Sequence, residues 1–134
     1  MSQSALQSDV VFQGFRDLKI WQRSRSLVKR IYDSTARFPK EEIYGLTSQI
    51  RRCSVSIPSN IAEGSSKRST REFLRFLNIA YGSLAELETQ LLLACDLGYM
   101  TEQEIDSIFQ ETSEIGRMIN SPINKLSEKL NPEL

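Results

Sequence analysis

Hydrophobic residues recur every three or four positions over most of this chain, and no run alternates with period two for long enough to suggest a strand. That spacing is typical of amphipathic α-helices, which each turn an apolar stripe toward a core. The pattern predicts four helices and an all-α fold. Their apolar positions are, in chain order, Leu18, Ile20, Trp21, Leu27, Val28, Ile31 and Tyr32; Ile43, Leu46, Ile50, Cys53 and Ile57; Phe73, Leu77, Ala80, Leu84, Leu87, Leu91 and Ala94; and Ile105, Ile108, Ile115, Ile119 and Leu126.

The first two predicted helices are bounded by turn and charge signals. The first runs from Phe15 or Asp17 to about Ala36, and the Phe-Pro pair at residues 38–39 ends it. The second opens near Glu41, because a carboxylate is favourable at a helix N-terminus.

The third and fourth predicted helices each begin with a capping box, in which a hydroxyl residue is followed three positions later by Glu. Ser69 with Glu72 starts the third, and Thr101 with the Glu at 104 starts the fourth. Gly98 is placed to cap the C-terminus of the third helix. Pro122 is expected to kink or restart the fourth.

Short connections force sequential helices to lie side by side. The sequence therefore predicts one antiparallel up-down-up-down four-helix bundle over residues 15–131, preceded by a flexible segment at 1–14. The predicted third helix is also apolar beyond its main stripe, at Leu74, Ile79, Tyr81, Leu93 and Cys95. A lone bundle covers only one face of a helix, so self-association is the simplest explanation, although boundary residues of a monomer remain the alternative.

The segment QIRRCSVSIPSNIAEGSSKRST, residues 49–70, interrupts its helical pattern with Pro58. Proline lacks the N–H that would bond the Ser54 carbonyl, so a kink in the second helix is expected. The heptad places Asn60 on the next core position, where its amide, or Ser54 or Ser56, could satisfy the freed backbone. The alternative makes Asn60 and Glu63, which share a helix face, part of a polar site.

The formal net charge of zero hides an asymmetry, since residues 1–75 carry 14 Lys and Arg against 7 Asp and Glu, and residues 76–134 carry 3 against 10. The halves either neutralise each other when packed or present a basic surface to nucleic acid. One basic stripe and one basic cluster around the serine-rich linker are the candidates. The stripe comprises Arg16, Lys19, Arg23 and Arg30, and the cluster comprises Arg51, Arg52, Lys67, Arg68, Arg71 and Arg75.

Catalysis is not expected. The chain has no histidine, which removes the commonest general base and metal ligand, and it has no P-loop. Cys53 and Cys95 lie on or beside apolar stripes, where cysteine acts as a small hydrophobe, so no catalytic residue, cofactor or metal is predicted. Tyr44, Trp21 and Phe76 could stack on bases, but aromatic residues at helical spacing are more often core.

No stretch has the length of a membrane span, and the N-terminus has no signal-peptide pattern. With two cysteines that lack disulfide or zinc spacing, the chain is expected to be cytoplasmic and not to contact a membrane.

Residues 15–100, and above all the segment YGLTSQIRRCSVSIPSNIAEGSSKRS, resemble the 23S ribosomal RNA intervening-sequence protein family of bacterial four-helix-bundle proteins. They are similar to the accessory variability determinant proteins of diversity-generating retroelements. The resemblance implies a homopentameric barrel of bundles whose basic surface engages nucleic acid.

Two hypotheses follow. The first is a non-catalytic oligomer that binds RNA or DNA phosphates through a repeated basic surface, since a ring multiplies each contact. The second is an adaptor whose basic face docks an acidic protein partner, such as a reverse-transcriptase-like enzyme.

Overall fold

The computed structural model describes residues 14–131, and within them the chain forms four α-helices and no strand. They are α1, Lys19–Thr35; α2, Leu46–Ser65; α3, Thr70–Asp96; and α4, Glu102–Leu130. Short 3₁₀ turns at Phe15–Asp17 and Lys40–Glu42 precede α1 and α2. The all-α prediction is confirmed. The segment predicted to be flexible, 1–14, falls outside the described residues except for Gly14.

The capping signals of α3 and α4 act as the sequence predicts. Ser69 Oγ accepts a hydrogen bond from the Glu72 N–H at 3.2 Å, and Thr101 and Glu104 form a reciprocal capping box. Gly98 follows α3 with φ +82°, and the N–H groups of Gly98 and Tyr99 donate back to the carbonyls of Cys95 and Ala94. This is a Schellman motif, which needs a left-handed residue at the position of Gly98.

The start of α2 differs from the prediction by five residues. Lys40–Glu42 forms only a 3₁₀ turn, and α2 begins at Leu46 after Gly45. Glu42 still acts at the helix N-terminus, because its Oε1 accepts a hydrogen bond from the Leu46 N–H at 3.1 Å. Since Ile43 precedes the helix, its side chain is 52% exposed, and its assignment to the apolar seam was wrong.

The core lies where the four helices face one another. α3 packs against α2 and α4, and α1 packs against the same two helices. Each fully buried Ile or Leu contributes on the order of 1.5–3 kcal/mol relative to an exposed one. These contacts are compatible with a bundle. The fully buried aliphatic side chains are Leu27, Ile31, Ile50, Ile57, Ile61, Leu77, Leu87, Leu91, Ile108, Ile115 and Ile119.

α1 buries a narrower stripe than its sequence suggests. Its buried residues are Ile20, Ser24, Leu27, Ile31 and Thr35. Trp21 and Val28 are only half-buried and Tyr32 is exposed. The apolar face of α1 is therefore wider than the core, and its second stripe borders α2 at the surface.

α2 continues as one helix across Pro58, and α4 does the same across Pro122, so α4 does not restart. Asn60 is half-buried rather than in the core, and its Nδ2 donates to the Ser56 carbonyl at 2.7 Å. The core position is taken by Ile61. The predicted core role of Asn60 was wrong, because the helix phase carries its side chain to the edge of the buried face.

The hydroxyls near Pro58 also bond elsewhere than predicted. Ser54 Oγ donates to the Arg51 carbonyl and Ser56 Oγ to the Cys53 carbonyl. Pro58 has no N–H to donate to the Ser54 carbonyl. None of these three side chains donates to that carbonyl instead. Each instead bonds a carbonyl three or four positions earlier, as polar side chains commonly do inside helices.

Candidate nucleic-acid interface

The basic stripe of α1 faces the acidic α4. Arg23 makes a two-pronged ion pair with Glu114, at 2.6 and 3.0 Å. Arg30 binds Glu111 at 2.8 Å and also donates to Ser107. Arg37, which follows α1, reaches Glu104 at 2.5 Å. Arg23 and Arg30 of the stripe are therefore paired with acidic residues of α4, as is Arg37.

The Arg23–Glu114 pair perturbs both partners. The hydrogen bond from Arg23 lowers the pKa of the Glu114 carboxyl, and the same bond raises the pKa of the guanidinium. Both groups are therefore charged at neutral pH, and each is already neutralised by the other. A phosphate would have to compete with Glu114 for Arg23.

The other two stripe residues lie near the start of α1. Lys19 is exposed. Arg16 is half-buried, with its guanidinium 5.7 Å from the centre of the Phe15 ring, and its carbonyl accepts a bond from Gln22. The four residues therefore do not form one uniform charged surface.

Arg51 is fixed against α1 rather than extended toward the linker. Its Nε donates to Thr35 Oγ1 at 2.8 Å, and its guanidinium lies 4.6 Å from the centre of the Tyr32 ring. The neighbouring Arg52 is exposed, and no residue in the described part of the chain pairs with it.

Four cations do gather around the turn between α2 and α3, and we call them the linker cluster: Lys67, Arg68, Arg71 and Arg75. The prediction also placed Arg51 and Arg52 in this cluster. They lie about 13 residues before the end of α2, which corresponds to about 20 Å at the helical rise. The structure thus separates them from the linker cluster.

Two members of the linker cluster have acidic neighbours. Arg75 contacts both carboxylate oxygens of Glu72, at 3.1 and 3.2 Å, and this bond lowers the pKa of Glu72. Lys67 lies 3.9 Å from Glu63, at the limit of an ion pair. The alternative interpretation of the sequence placed Glu63 in a polar site with Asn60, but the ion pair of Glu63 is with Lys67 of the linker cluster.

Arg68 and Arg71 are exposed, and neither pairs with any residue between positions 14 and 131. Arg68 has a left-handed backbone with φ +58°, which is uncommon for a residue other than glycine. The turn that it forms lets α3 start at Thr70 directly after α2.

Gly64 and Phe76 set the base of the linker cluster. A Cβ at Gly64 would lie 2.5 Å from Phe76 Cβ, so α2 and α3 approach too closely there for any side chain. Phe76 is buried on its helix side, and Arg75 and Lys67 lie 4.5 and 5.7 Å from its ring centre. Because Phe76 is only 7% exposed, its ring is not available for stacking on a base.

The other two aromatic residues considered for base stacking, Tyr44 and Trp21, lie outside the linker cluster. Tyr44 is 97% exposed in the turn before α2. Trp21 is half-buried on α1, with the guanidinium of Arg25 5.5 Å from its ring centre. Sequence reasoning did not single out Arg25, although its position four residues after Trp21 places the two on the same helix face.

Nothing in the described residues is arranged for cysteine or metal chemistry. Burial raises the pKa of the Cys53 thiol to about 12, and its Sγ donates to the Ser83 carbonyl at 3.0 Å. Such a thiol is protonated and unreactive at neutral pH. No group of three potential metal ligands comes together within residues 14–131. None of the helices in that range is long and apolar enough to cross a bilayer.

Comparison with known proteins places the chain in a family. No curated protein matches the sequence. A crystal structure from Bacteroides thetaiotaomicron, described as a protein of unknown function from the S23 ribosomal protein family, matches with a TM-score of 0.70 and 28% identity. The match covers 78% of this chain and 97% of that one. The family model of the 23S rRNA-intervening sequence protein matches residues 16–121, and the chain therefore belongs to that family.

Proposed function

We propose that this protein is a non-catalytic nucleic-acid-binding protein that contacts phosphates through the linker cluster. The observation that carries the proposal is the contrast in pairing among its arginines. Arg23 and Arg30 are neutralised by α4, whereas Arg68 and Arg71 are exposed and unpaired at a turn, within the residues that the structure describes. Unpaired surface cations are the groups that can exchange counterions for phosphates.

The proposal also includes assembly into a closed homo-oligomer, most simply a pentamer, with the helices of each bundle in up-down-up-down order. The exposed side chains of Ile79, Leu93 and Leu97 on and beside α3 support self-association. The ion pairs between α1 and α4 are Arg23–Glu114, Arg30–Glu111 and Arg37–Glu104. The residue numbers rise along the first helix and fall along the second, which supports an antiparallel arrangement of the two. A ring would repeat the linker cluster once per protomer and so raise its effective affinity.

Light scattering tests the assembly separately from binding. We expect a mass near five protomers at micromolar concentration. A monomeric mass would contradict the oligomer, and a dimer would leave the bundle but remove the ring.

The binding test replaces three cations of the linker cluster: Lys67→Ala, Arg68→Asn and Arg71→Ala. Asn is used at position 68 because it tolerates the left-handed backbone of Arg68. We expect binding of structured RNA and duplex DNA to weaken about equally for all sequences. The slope of log affinity against log salt should fall by about one for each phosphate that the variant no longer neutralises.

The matched control removes three exposed lysines from other regions, through Lys40→Ala, Lys125→Ala and Lys129→Ala. It changes the net charge by the same amount but leaves the linker cluster intact, so we expect the salt slope of the parent. Equal loss of affinity in both variants would mean that net charge, not the linker cluster, determines binding. If the parent binds no nucleic acid at low salt, the adaptor function replaces this proposal.

The adaptor remains the second candidate because of one observation. Leu92 and Leu97 are 47% and 57% exposed near the end of α3, and Tyr44 is almost fully exposed. Exposed apolar residues of this size are more typical of protein contacts than of phosphate contacts. An acidic partner docked on the basic face of the adaptor would also contact these apolar residues, and their replacement by Ser should weaken its binding.

A further inference from the structure

A groove on the surface between α1 and α2 is lined by residues at the edge of the core, most of them apolar. Its volume is about 330 Å³, and its walls are Trp21, Arg25 and Val28 from α1 and Val55, Pro58, Ser59 and Ala62 from α2. We call it the α1–α2 groove. Trp21 and Val28, from the second apolar stripe of α1, therefore line a surface groove and are not buried in the bundle.

Pro58 has a defined place in this groove. Its half-buried ring is apolar and lies in the wall of the groove beside Val55, which is 39% exposed. As a proline, it also has no backbone N–H. The α2 side of the groove is therefore mostly apolar, with Ser59 as the polar residue in its wall. An apolar wall of this kind can contact the flat face of a planar ligand.

Two aromatic residues on the second apolar stripe of α1 each have an arginine side chain over the ring. Arg25 covers Trp21 at 5.5 Å, and Arg51 covers Tyr32 at 4.6 Å. Residues 21 and 32 are eleven positions apart, which corresponds to about 16 Å along the helix. The Trp21–Arg25 pair is thus part of the α1–α2 groove, and the Tyr32–Arg51 pair lies about one turn beyond its Val28 and Val55 walls.

The charge around the groove has one sign. None of its lining residues is Asp or Glu, and the same holds for the adjoining depression on the other side of Trp21. Arg25 makes no ion pair within residues 14–131, and Arg52, one turn before Val55, makes none either. The carboxylates nearest along the chain lie outside the lining: Asp17 precedes Trp21 by four residues, and Glu63 follows Ala62. Asp33 of α1 is bound to Lys29 at 3.0 Å. The groove is complementary to an anion that also has apolar surface.

We propose that the α1–α2 groove binds a single strand of nucleic acid, with bases against Trp21 and the Val55–Pro58 wall and phosphates at Arg25 and Arg52. The proposal rests on the proposed nucleic-acid function and names the form of the ligand. Base stacking on aromatic rings beside a cationic groove is how proteins bind single strands without sequence preference. A duplex keeps its bases stacked inside and would offer only its phosphates to this surface.

The chain contains its own probe, because Trp21 is its single tryptophan. We would titrate the full chain with a twelve-residue oligouridylate while following Trp21 emission, and in parallel follow the anisotropy of the same oligonucleotide carrying a dye. Inorganic polyphosphate at equal phosphate concentration supplies the charge without bases. We expect oligouridylate to quench Trp21, and polyphosphate to leave its emission unchanged.

The variant is Arg25→Gln with Arg52→Gln, which removes both charges and keeps residues of similar helix propensity. We expect its affinity for oligouridylate to fall about tenfold, in the range that removal of a stacked base or of two phosphate contacts produces. The matched control, Lys40→Gln with Lys125→Gln, removes the same charge elsewhere and should bind as the parent does. Circular dichroism of each variant verifies that the helices are intact.

Two results would overturn the groove while leaving the proposed function in place. In the first, the oligonucleotide binds by anisotropy but Trp21 emission does not change, and the Arg25 and Arg52 variant binds like the parent. In the second, duplex RNA of the same length quenches Trp21 as strongly as the single strand.

Two further results would also overturn it. A change of Trp21 emission with protein concentration alone would show that a second copy of the chain covers the groove. Absence of any anisotropy change with oligouridylate at low salt would remove the groove, and the same result with structured RNA and duplex DNA would remove the proposed function as well.

Discussion

The arginines of α1 and those of the linker cluster look alike in the sequence but differ in the structure. Arg23 and Arg30 lie across from Glu114 and Glu111 and form ion pairs at 2.6 and 2.8 Å. Arg68 and Arg71 lie at a turn with no carboxylate bound to either, within the residues described. Both pairs have helical spacing, seven positions for Arg23 and Arg30 and three for Arg68 and Arg71, but the first pair makes internal contacts and the second remains exposed.

The difference shows that a basic stripe becomes a binding surface only when no helix covers it. α1 packs against α4, which carries much of the acidic charge of the C-terminal half, so its stripe is used to join two helices. The linker cluster lies beyond the end of α2, where no acidic helix of the described chain covers Arg68 and Arg71. Charge counts along the chain cannot distinguish these cases, because they do not include the partner helix.

The largest expected change in stability comes from Gly64, where α2 and α3 approach closely at the linker cluster. Gly64→Ala would place a Cβ 2.5 Å from Phe76 Cβ, where neither atom can move without its backbone. We expect the free energy of unfolding to fall by about 1–3 kcal/mol, as for other overpacked contacts. Chemical denaturation measures this directly.

Gly82 provides the control within α3. A Cβ there meets nothing within 4 Å, so Gly82→Ala should stabilise the helix by about 0.5–1 kcal/mol. A decrease in stability at Gly82 equal to that at Gly64 would contradict the close approach of α2 and α3.

Asn60 tests the segment of α2 that leads to the linker. Its amide donates one hydrogen bond to the Ser56 carbonyl at a half-buried position. Asn60→Ala should therefore cost about 0.5–1.5 kcal/mol, the net value of one hydrogen bond, and a larger decrease in stability would indicate a buried partner. Urea denaturation of the variant distinguishes the two.

The α1 ion pairs should contribute less. Arg30→Ala or Arg23→Ala removes an ion pair between half-exposed groups, so we expect stability to fall by about 0.2–1 kcal/mol, and by less at high salt. Thermal denaturation at low and high salt measures it. A decrease that does not depend on salt would mean that the stripe acts through packing instead.

The smallest effect concerns pH. Glu42 accepts hydrogen bonds from the Leu46 N–H and from Tyr99 Oη at 2.9 Å, and the first of these chiefly lowers the pKa of its carboxyl. Because the folded pKa is below the unfolded one, this contribution is present above the unfolded pKa and is lost as pH falls through the folded pKa.

Glu42→Gln should therefore flatten the acid limb of the curve of melting temperature against pH between about 5 and 3, the range just around an ordinary Glu pKa. Glu41→Gln changes the same charge on an exposed neighbour and is the control. Parallel acid limbs in the parent and the Glu42 variant would show that Glu42 does not contribute to the pH dependence.

The parts of the fold that sequence could predict depend on local signals. The capping residues Ser69 and Thr101 and the C-terminal Gly98 act within one turn of the chain, so the sequence indicates the helix ends directly. The start of α2 could not be predicted in the same way. Glu42 caps Leu46 from outside the helix and is held by Tyr99 from a distant loop. Its place depends on tertiary contacts.

The candidate site was only partly predictable for a similar reason. The linker cations were identified from their spacing, but the separation of Arg51 and Arg52 from them follows from the length of α2 and the contact of Arg51 with Tyr32. The α1–α2 groove was missed because its residues look like core in the pattern. Only the rotation of α1 shows that Ile20, Leu27 and Ile31 fill the core and leave Trp21 and Val28 at the surface.

The central claim is that the linker cluster, and not the α1 stripe, meets nucleic acid, and one comparison of salt slopes tests it most directly. Binding of the same RNA is measured over a range of salt for the parent, for the linker variant at Lys67, Arg68 and Arg71, and for Arg23→Ala with Arg30→Ala. We predict that the slope falls by about two to three in the linker variant and is unchanged in the α1 variant. An equal or larger fall in the α1 variant, with the linker variant binding like the parent, would contradict the claim.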